Sequence, residues 1–303
     1  MELSLGRHRV LGEPGSTLRD PRLAIIHILL VTYIPTAYVY VIRGSRRAID
    51  SLRPGLRASD SEVALLEAAV GRYREWWPTL ASLGVLAFTV YTTYATTPKN
   101  PYDWTLWTPE VAWHRVLTPF LAWWSGRLVY AVLTESRRLS RLAKHLGPLD
   151  LMDLSPLAPF SRQALSNVIV VVGLASILTL FLLDVGNADI VLTVWLGIVV
   201  VALASALFPL RGVRRAIHAA KATELAWCNE ALQQAREAWS RGAPSPGPAH
   251  VGELVAYRDV VKEVREWPVD TSTLVRFALF VLLPLGSWLG GAFVERAIDS
   301  LLD

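Results

Sequence analysis

The sequence predicts an all-α fold: a polytopic integral membrane helical bundle of about six transmembrane helices, with a cytoplasmic helical layer. Three observations predict it. The apolar residues, 52% of the 303, come in blocks of about 20, the length a helix needs to cross a bilayer. Charged residues are only 18%, against roughly 25% in soluble domains, and the mean hydropathy is +0.36. Lys and Arg crowd into alternate connecting segments, as they do on the cytoplasmic side of membrane proteins.

The first predicted span is 23–42, with His27 and a mid-run Pro35. It is too long for the apolar core of a signal peptide. Proline kinks a membrane helix without excluding it. Segment 61–76 has Val63, Leu66, Ala69, Val70 and Tyr73 at helical spacing, which predicts a cytoplasmic amphipathic helix capped by Asp60 or Ser61. Trp76, Trp77 and Pro78 mark a membrane interface, where amphipathic rings settle. The second span is 79–96. The loop after it, with one Lys, three Pro and two Trp, reads as an ordered outer loop. The third span is 111–133 and exits into a basic stretch. A turn-rich connector at 147–163 leads to the fourth span, 165–183.

Only the short acidic turn DVGNAD separates the fourth span from the fifth, 190–210, so the two form a helical hairpin. The fifth span continues without a break into a basic helix, 211–241, with Val213, Ile217, Ala220 and Leu225 along one seam. Pro and Gly in GAPSPGP stop it. A further helix, 249–266, folds back as an αα-hairpin, and Pro268 precedes a sixth span, 272–294. No long repeat or Gly-rich linker divides the chain, which reads as one domain.

Connecting segments 43–77, 134–163 and 210–272 carry seven, five and nine Lys or Arg; 96–110 and 184–189 carry one and none. The rich segments belong in the cytoplasm, which leaves the C-terminus outside. Arg7, Arg9, Arg19 and Arg22 oppose this pattern. Either 23–42 crosses against them or Pro35 divides it into a re-entrant pair; its length favours crossing.

The sequence points to no catalytic residue. It contains no zinc-protease, nucleophile-elbow, Walker or paired-cysteine motif. A single cysteine, Cys228, allows neither an internal disulfide nor a thiolate cluster, and no metal or cofactor is expected. Asp150 and Asp153, three apart, suit capping as well as acid–base work. The net charge of +4 reads as a membrane-facing bias rather than nucleic-acid binding.

Ionisable groups at membrane depth are functional candidates. His27 is either a proton-sensing or metal-ligating residue or a hydrogen-bonded packing histidine; with no partner visible in sequence, packing is favoured. His114 and Arg115 are expected to meet headgroups. Arg127 either snorkels to the interface or lines an anion path. Thr89, Thr92 and Thr93 form a hydroxyl stripe, which suits a water-filled pathway as well as interhelical hydrogen bonds. Arg211, Arg214 and Arg215 are candidate contacts for lipid or a partner.

These features favour an oligomeric ion channel or transport protein. The excess of Arg over Lys suggests a GC-rich genome and so a bacterial inner membrane. The competing reading is a membrane scaffold or signalling protein, whose basic cytoplasmic helices bind anionic lipid or a cytoplasmic protein partner. The expected partners are the lipid bilayer and further copies of the chain.

Overall fold

The computed structural model describes residues 21–96, 100–182, 188–241 and 248–267, together with Val275 and Leu279. Its elements are helical, joined by turns: α1 (Pro21–Leu52), α2 (Asp60–Ala69), α3 (Trp76–Thr96), α4 (Pro109–Leu142), α5 (Ala158–Leu182), α6 (Ala188–Ser240) and α7 (Pro248–Glu263). Among the described residues, four stretches are long and apolar enough to cross a membrane: Ala24–Gly55, Val111–His145, Ser155–Leu180 and Thr193–Ser240. The chain is therefore compatible with a membrane protein. The finer count of about six is not confirmed by these four. Predicted span 79–96 is helical as α3 but is not one of the four. Predicted span 272–294 lies outside the described residues.

The helices run past the ends of their apolar blocks. α1 continues from Ile42 to Leu52, α4 from Leu133 to Leu142, and α5 starts at Ala158 rather than Leu165. No Gly or Pro halts them, and their buried stripes continue. On α1, Ile26, Leu30, Ile34, Ala37 and Val41 are followed in register by Ser45, Ala48, Ile49 and Leu52, all buried. Pro35 does not divide this helix. Beside it the Thr32 and Thr36 hydroxyls donate to the carbonyls of Ile28 and Thr32.

Two apolar clusters result. The first joins Ile26, Leu30 and Ile34 of α1 to Leu121 and Leu128 of α4, Val170 and Leu174 of α5, and Ala202 of α6. The second joins the far ends of the same helices, through Leu52, Leu139, Phe160 and Val213, to Val63 of α2 and Val261 of α7. We call them the bundle and the platform. The bundle is apolar outside as well: Ile25, Ile28 and Val31 are exposed on α1, and Leu196 and Val200 on α6.

α2 is shorter than the predicted 61–76. It starts on a capping box, in which the Ser59 hydroxyl accepts from the Glu62 amide and the Glu62 carboxylate accepts from the Ser59 amide. The cap is thus Ser59, while Asp60 pairs with Arg53 at 2.8 Å. The helix ends at Ala69, and Gly71 takes a left-handed φ of 79° that side chains resist. α6 is one helix of 53 residues, about 80 Å long, and belongs to both clusters. α7 packs on its distal half: Lys221 Nζ donates to the carbonyls of Lys262 and Val264.

α3 rests along α4. At Gly126 a Cβ would meet the Ser82 backbone, and nearby the Ser82 hydroxyl donates to the Trp123 carbonyl at 2.8 Å. Gly126→Val is therefore expected to push the pair apart at a cost of about 1–3 kcal/mol. Gly84→Val, where the space is open, is expected to be near neutral. Thermal melts of both variants in detergent check the contrast.

Candidate functional site

The expected site residues do not converge. Thr89, Thr92 and Thr93 are half-buried on α3, and their hydroxyls donate to carbonyls of their own helix, at Val85 and, twice, at Thr89. Arg127 is half-buried on α4, its guanidinium 5.8 Å from the centre of the Trp124 ring. His27 is 1% exposed. Its Nε2 lies 3.1 Å from the Thr118 hydroxyl and 3.3 Å from His114 Nδ1. His114, expected among headgroups, is thus turned inward as the partner that the sequence hid. Arg115 lies over the Tyr102 ring instead, 5.8 Å from its centre. Among the described residues no group of three or more His, Cys, Asp or Glu is placed to hold a metal.

Arg211, Arg214 and Arg215 part company. Arg211 is exposed. Arg214 is held within the chain, 3.7 Å from Glu266 and stacked over the Trp267 ring. Arg215 faces a cleft.

Sequence reasoning missed the most heavily bonded carboxylate. Glu135, 1% exposed on α4, accepts from the Gly71 amide at 3.2 Å, the Tyr73 hydroxyl at 2.8 Å and Arg138 at 2.7 Å, all on Oε1. Oε2 is buried without a partner. Arg138 also donates to the carbonyls of Ala69 and Arg72. The group clamps the turn after α2 onto α4. Burial, and after it the Glu135 charge, pushes the Tyr73 phenol far above its ordinary range, so it stays a donor. The next residue belongs to a second buried network. Gln163 donates to Asn167, Asn167 to the Ser136 hydroxyl, and the Ser136 hydroxyl to the carbonyls of Val132 and Ser205. It ties α4, α5 and α6 together where bundle meets platform.

The cleft opens in the platform, with a volume of about 950 Å³. Arg57, Arg141, Lys144 and Arg215 frame it, with Asp150 and Glu224 as its carboxylates. The α6 wall is small: Gly212, Ala216, Ala219 and Ala220. A Cβ at Gly212 would collide with the Ser140 backbone, so glycine there lets α6 approach α4. Two backbone hydrogen bonds tie the loop of Arg57 to that of Lys144, from the Arg57 amide to the His145 carbonyl at 2.7 Å and from the Gly147 amide to the Gly55 carbonyl at 2.8 Å. Both carboxylates are engaged. Asp150 accepts from the Met152 amide at 2.8 Å. Glu224 accepts from the Tyr257 hydroxyl at 2.8 Å, a bond that raises the Tyr257 pKa. The four cations have no ion pair or hydrogen bond to a side chain among the described residues. This arrangement attracts anions.

No family model, curated protein or solved structure matches this chain.

Glu135→Ala leaves Tyr73, Arg138 and the Gly71 amide without their acceptor. It is expected to cost about 1–3 kcal/mol. Limited proteolysis is expected to cut first between residues 69 and 75, and a wild-type digestion pattern would contradict the clamp.

Proposed function

We propose that this chain is a multi-pass protein of the cell membrane, with the platform in the cytoplasm, that binds an anionic ligand in the cleft and passes its occupancy to the bundle. The observation that carries this reading is that α6 walls the cleft and, without interruption, packs into the bundle. α6 carries Pro209 where it passes from bundle to platform, the kind of position at which helices bend, so a ligand seated against Arg215 acts on the bundle end of the same element through the angle there. A binding site can shift a conformational equilibrium only through such differential contact.

The orientation is carried by the distribution of Lys and Arg: they frame the platform, while the bundle surface is apolar. α1, α4, α5 and α6 cross in this reading, and α3 crosses as a fifth span beside α4. A bacterial inner membrane is proposed on composition alone. Self-association is supported by large apolar side chains left exposed on the platform, Leu65 and Trp239 at 70% each.

A channel or transport protein is a second reading, in which the cleft is the cytoplasmic mouth. The tightly packed apolar centre formed by Leu30, Ile34, Leu128 and Leu174 argues for a route between copies rather than through one chain. Ion or solute flux in proteoliposomes, altered by Arg215→Ala, supports that reading; the absence of flux leaves the ligand-binding one.

Maleimide labelling tests the orientation, since the native Cys228 is buried. Lys144→Cys is expected to react only after the cells are permeabilised, and Asn100→Cys in intact cells. Reaction of Lys144→Cys from outside would overturn the topology. Hydrogen exchange tests the coupling. Adding pyrophosphate is expected to slow exchange in α6 on both sides of Leu210, and protection confined to the cleft would remove the coupling.

A further inference from the structure

We infer that the cleft is a phosphate site at the edge of the lipid headgroup layer, and that its ligand carries a phosphate group, either on a membrane lipid or on a soluble phosphate ester. This deepens the function proposed above and rests on the same cleft.

The first argument is unbalanced charge. Arg57, Arg141, Lys144 and Arg215 share one concavity, and no side chain among the described residues pairs with any of them. Asp150 and Glu224, held by the Met152 amide and the Tyr257 hydroxyl, keep their charge but pair with none of the four, so cations outnumber carboxylates four to two. Four like charges held together repel, and an anion that bridges them relieves the repulsion. Three of the four are arginines, whose planar forks match phosphate oxygens two at a time.

The second argument is that the cations are held from separate parts of the chain. Arg57 sits in the loop after the 3-10 turn Arg53–Gly55 and Lys144 in the 3-10 turn Ala143–His145 at the end of α4, and the two segments are locked together by two backbone hydrogen bonds around the Leu56–Leu146 bridge. Arg141 lies in the last turn of α4. Arg215 lies one turn beyond Gly212, whose contact with Ser140 sets the distance between α6 and α4. Their backbones are fixed before any ligand arrives, which lowers the ordering cost of binding.

The third argument is position. Arg215 is five residues beyond Leu210, where the apolar run of α6 ends, and so about 8 Å further along the helix. The headgroup layer on one side of a bilayer is about 5–8 Å deep. Arg215 therefore lies at the depth of the lipid phosphates, whereas Arg141, eight residues beyond Leu133, lies about 12 Å past the apolar run of α4, so the cleft reaches from the headgroup layer into the aqueous side and is open to soluble anions as well.

The test uses the full chain in phosphatidylcholine nanodiscs. One arm adds phosphatidic acid to the lipid and follows the melting temperature and the lipid retained in native mass spectrometry. The other titrates pyrophosphate, with sulfate as the control anion, by calorimetry. Lys144→Ala/Arg215→Ala is expected to weaken phosphate binding at least about tenfold, and Arg236→Ala, an exposed cation away from the cleft, to leave it unchanged. Neither cleft side chain has a partner to lose, so the double variant is expected to melt with the wild type in phosphatidylcholine alone. A response to phosphatidic acid only makes the ligand a headgroup, and pyrophosphate binding makes it a soluble ester. Binding of neither, equal binding of sulfate, or an unaffected double variant overturns the phosphate site. Tight phosphate binding without protection of the bundle half of α6 keeps this site and defeats only the coupling.

Discussion

The structure depends on four helices that do not stop where their apolar residues stop. A helix that ends leaves four carbonyls without partners, and ending one between two buried layers would strand them. α1, α4, α5 and α6 instead continue, and one face of each stays buried from the bundle into the platform. The platform is thus not a separate unit on a tether. It is the far end of the same helices, capped by α2 and α7.

Continuous helices bring their own cost, because a buried seam that passes from an apolar layer into a polar one must carry polar groups with it. Two networks meet that cost at the junction. Glu135 draws the turn after α2 onto α4, and Ser136, one residue on, joins α5 and α6 through Asn167 and the Ser205 carbonyl. Buried polar groups specify an arrangement only when most of their bonds are made. The Asn167–Ser136 chain is well supplied, whereas Glu135 leaves Oε2 without a partner. The cleft lies beyond the junction, between α4 and α6, where Gly212 brings the two backbones close.

Much of the fold was legible in the sequence. Blocks of about 20 apolar residues marked α1, α4, α5 and α6, and the helical pattern running on past Leu210 foretold the long α6, which passes through Pro209 and Gly212. The helix ends were less legible, since hydropathy reports where side chains turn polar, not where backbone hydrogen bonding stops. The clue to Glu135 was nonetheless present. Leu128, Ala131, Val132, Leu139 and Leu142 are buried at helical spacing, and Glu135 falls on their stripe. Treating 134–163 as a basic connector concealed it.

The sequence by itself determined the helical class and the placement of the apolar blocks, because both follow from local periodicity and from the length of a bilayer crossing. It determined too where Lys and Arg accumulate. Tertiary structure alone decided that His114 faces His27, that Gly71 and Tyr73 reach Glu135, and that Arg57, Lys144 and Arg215 surround one cleft. Those residues are separated by tens to more than a hundred positions, so only the packing of helices, set by close approaches such as Gly212 against Ser140, brings them together.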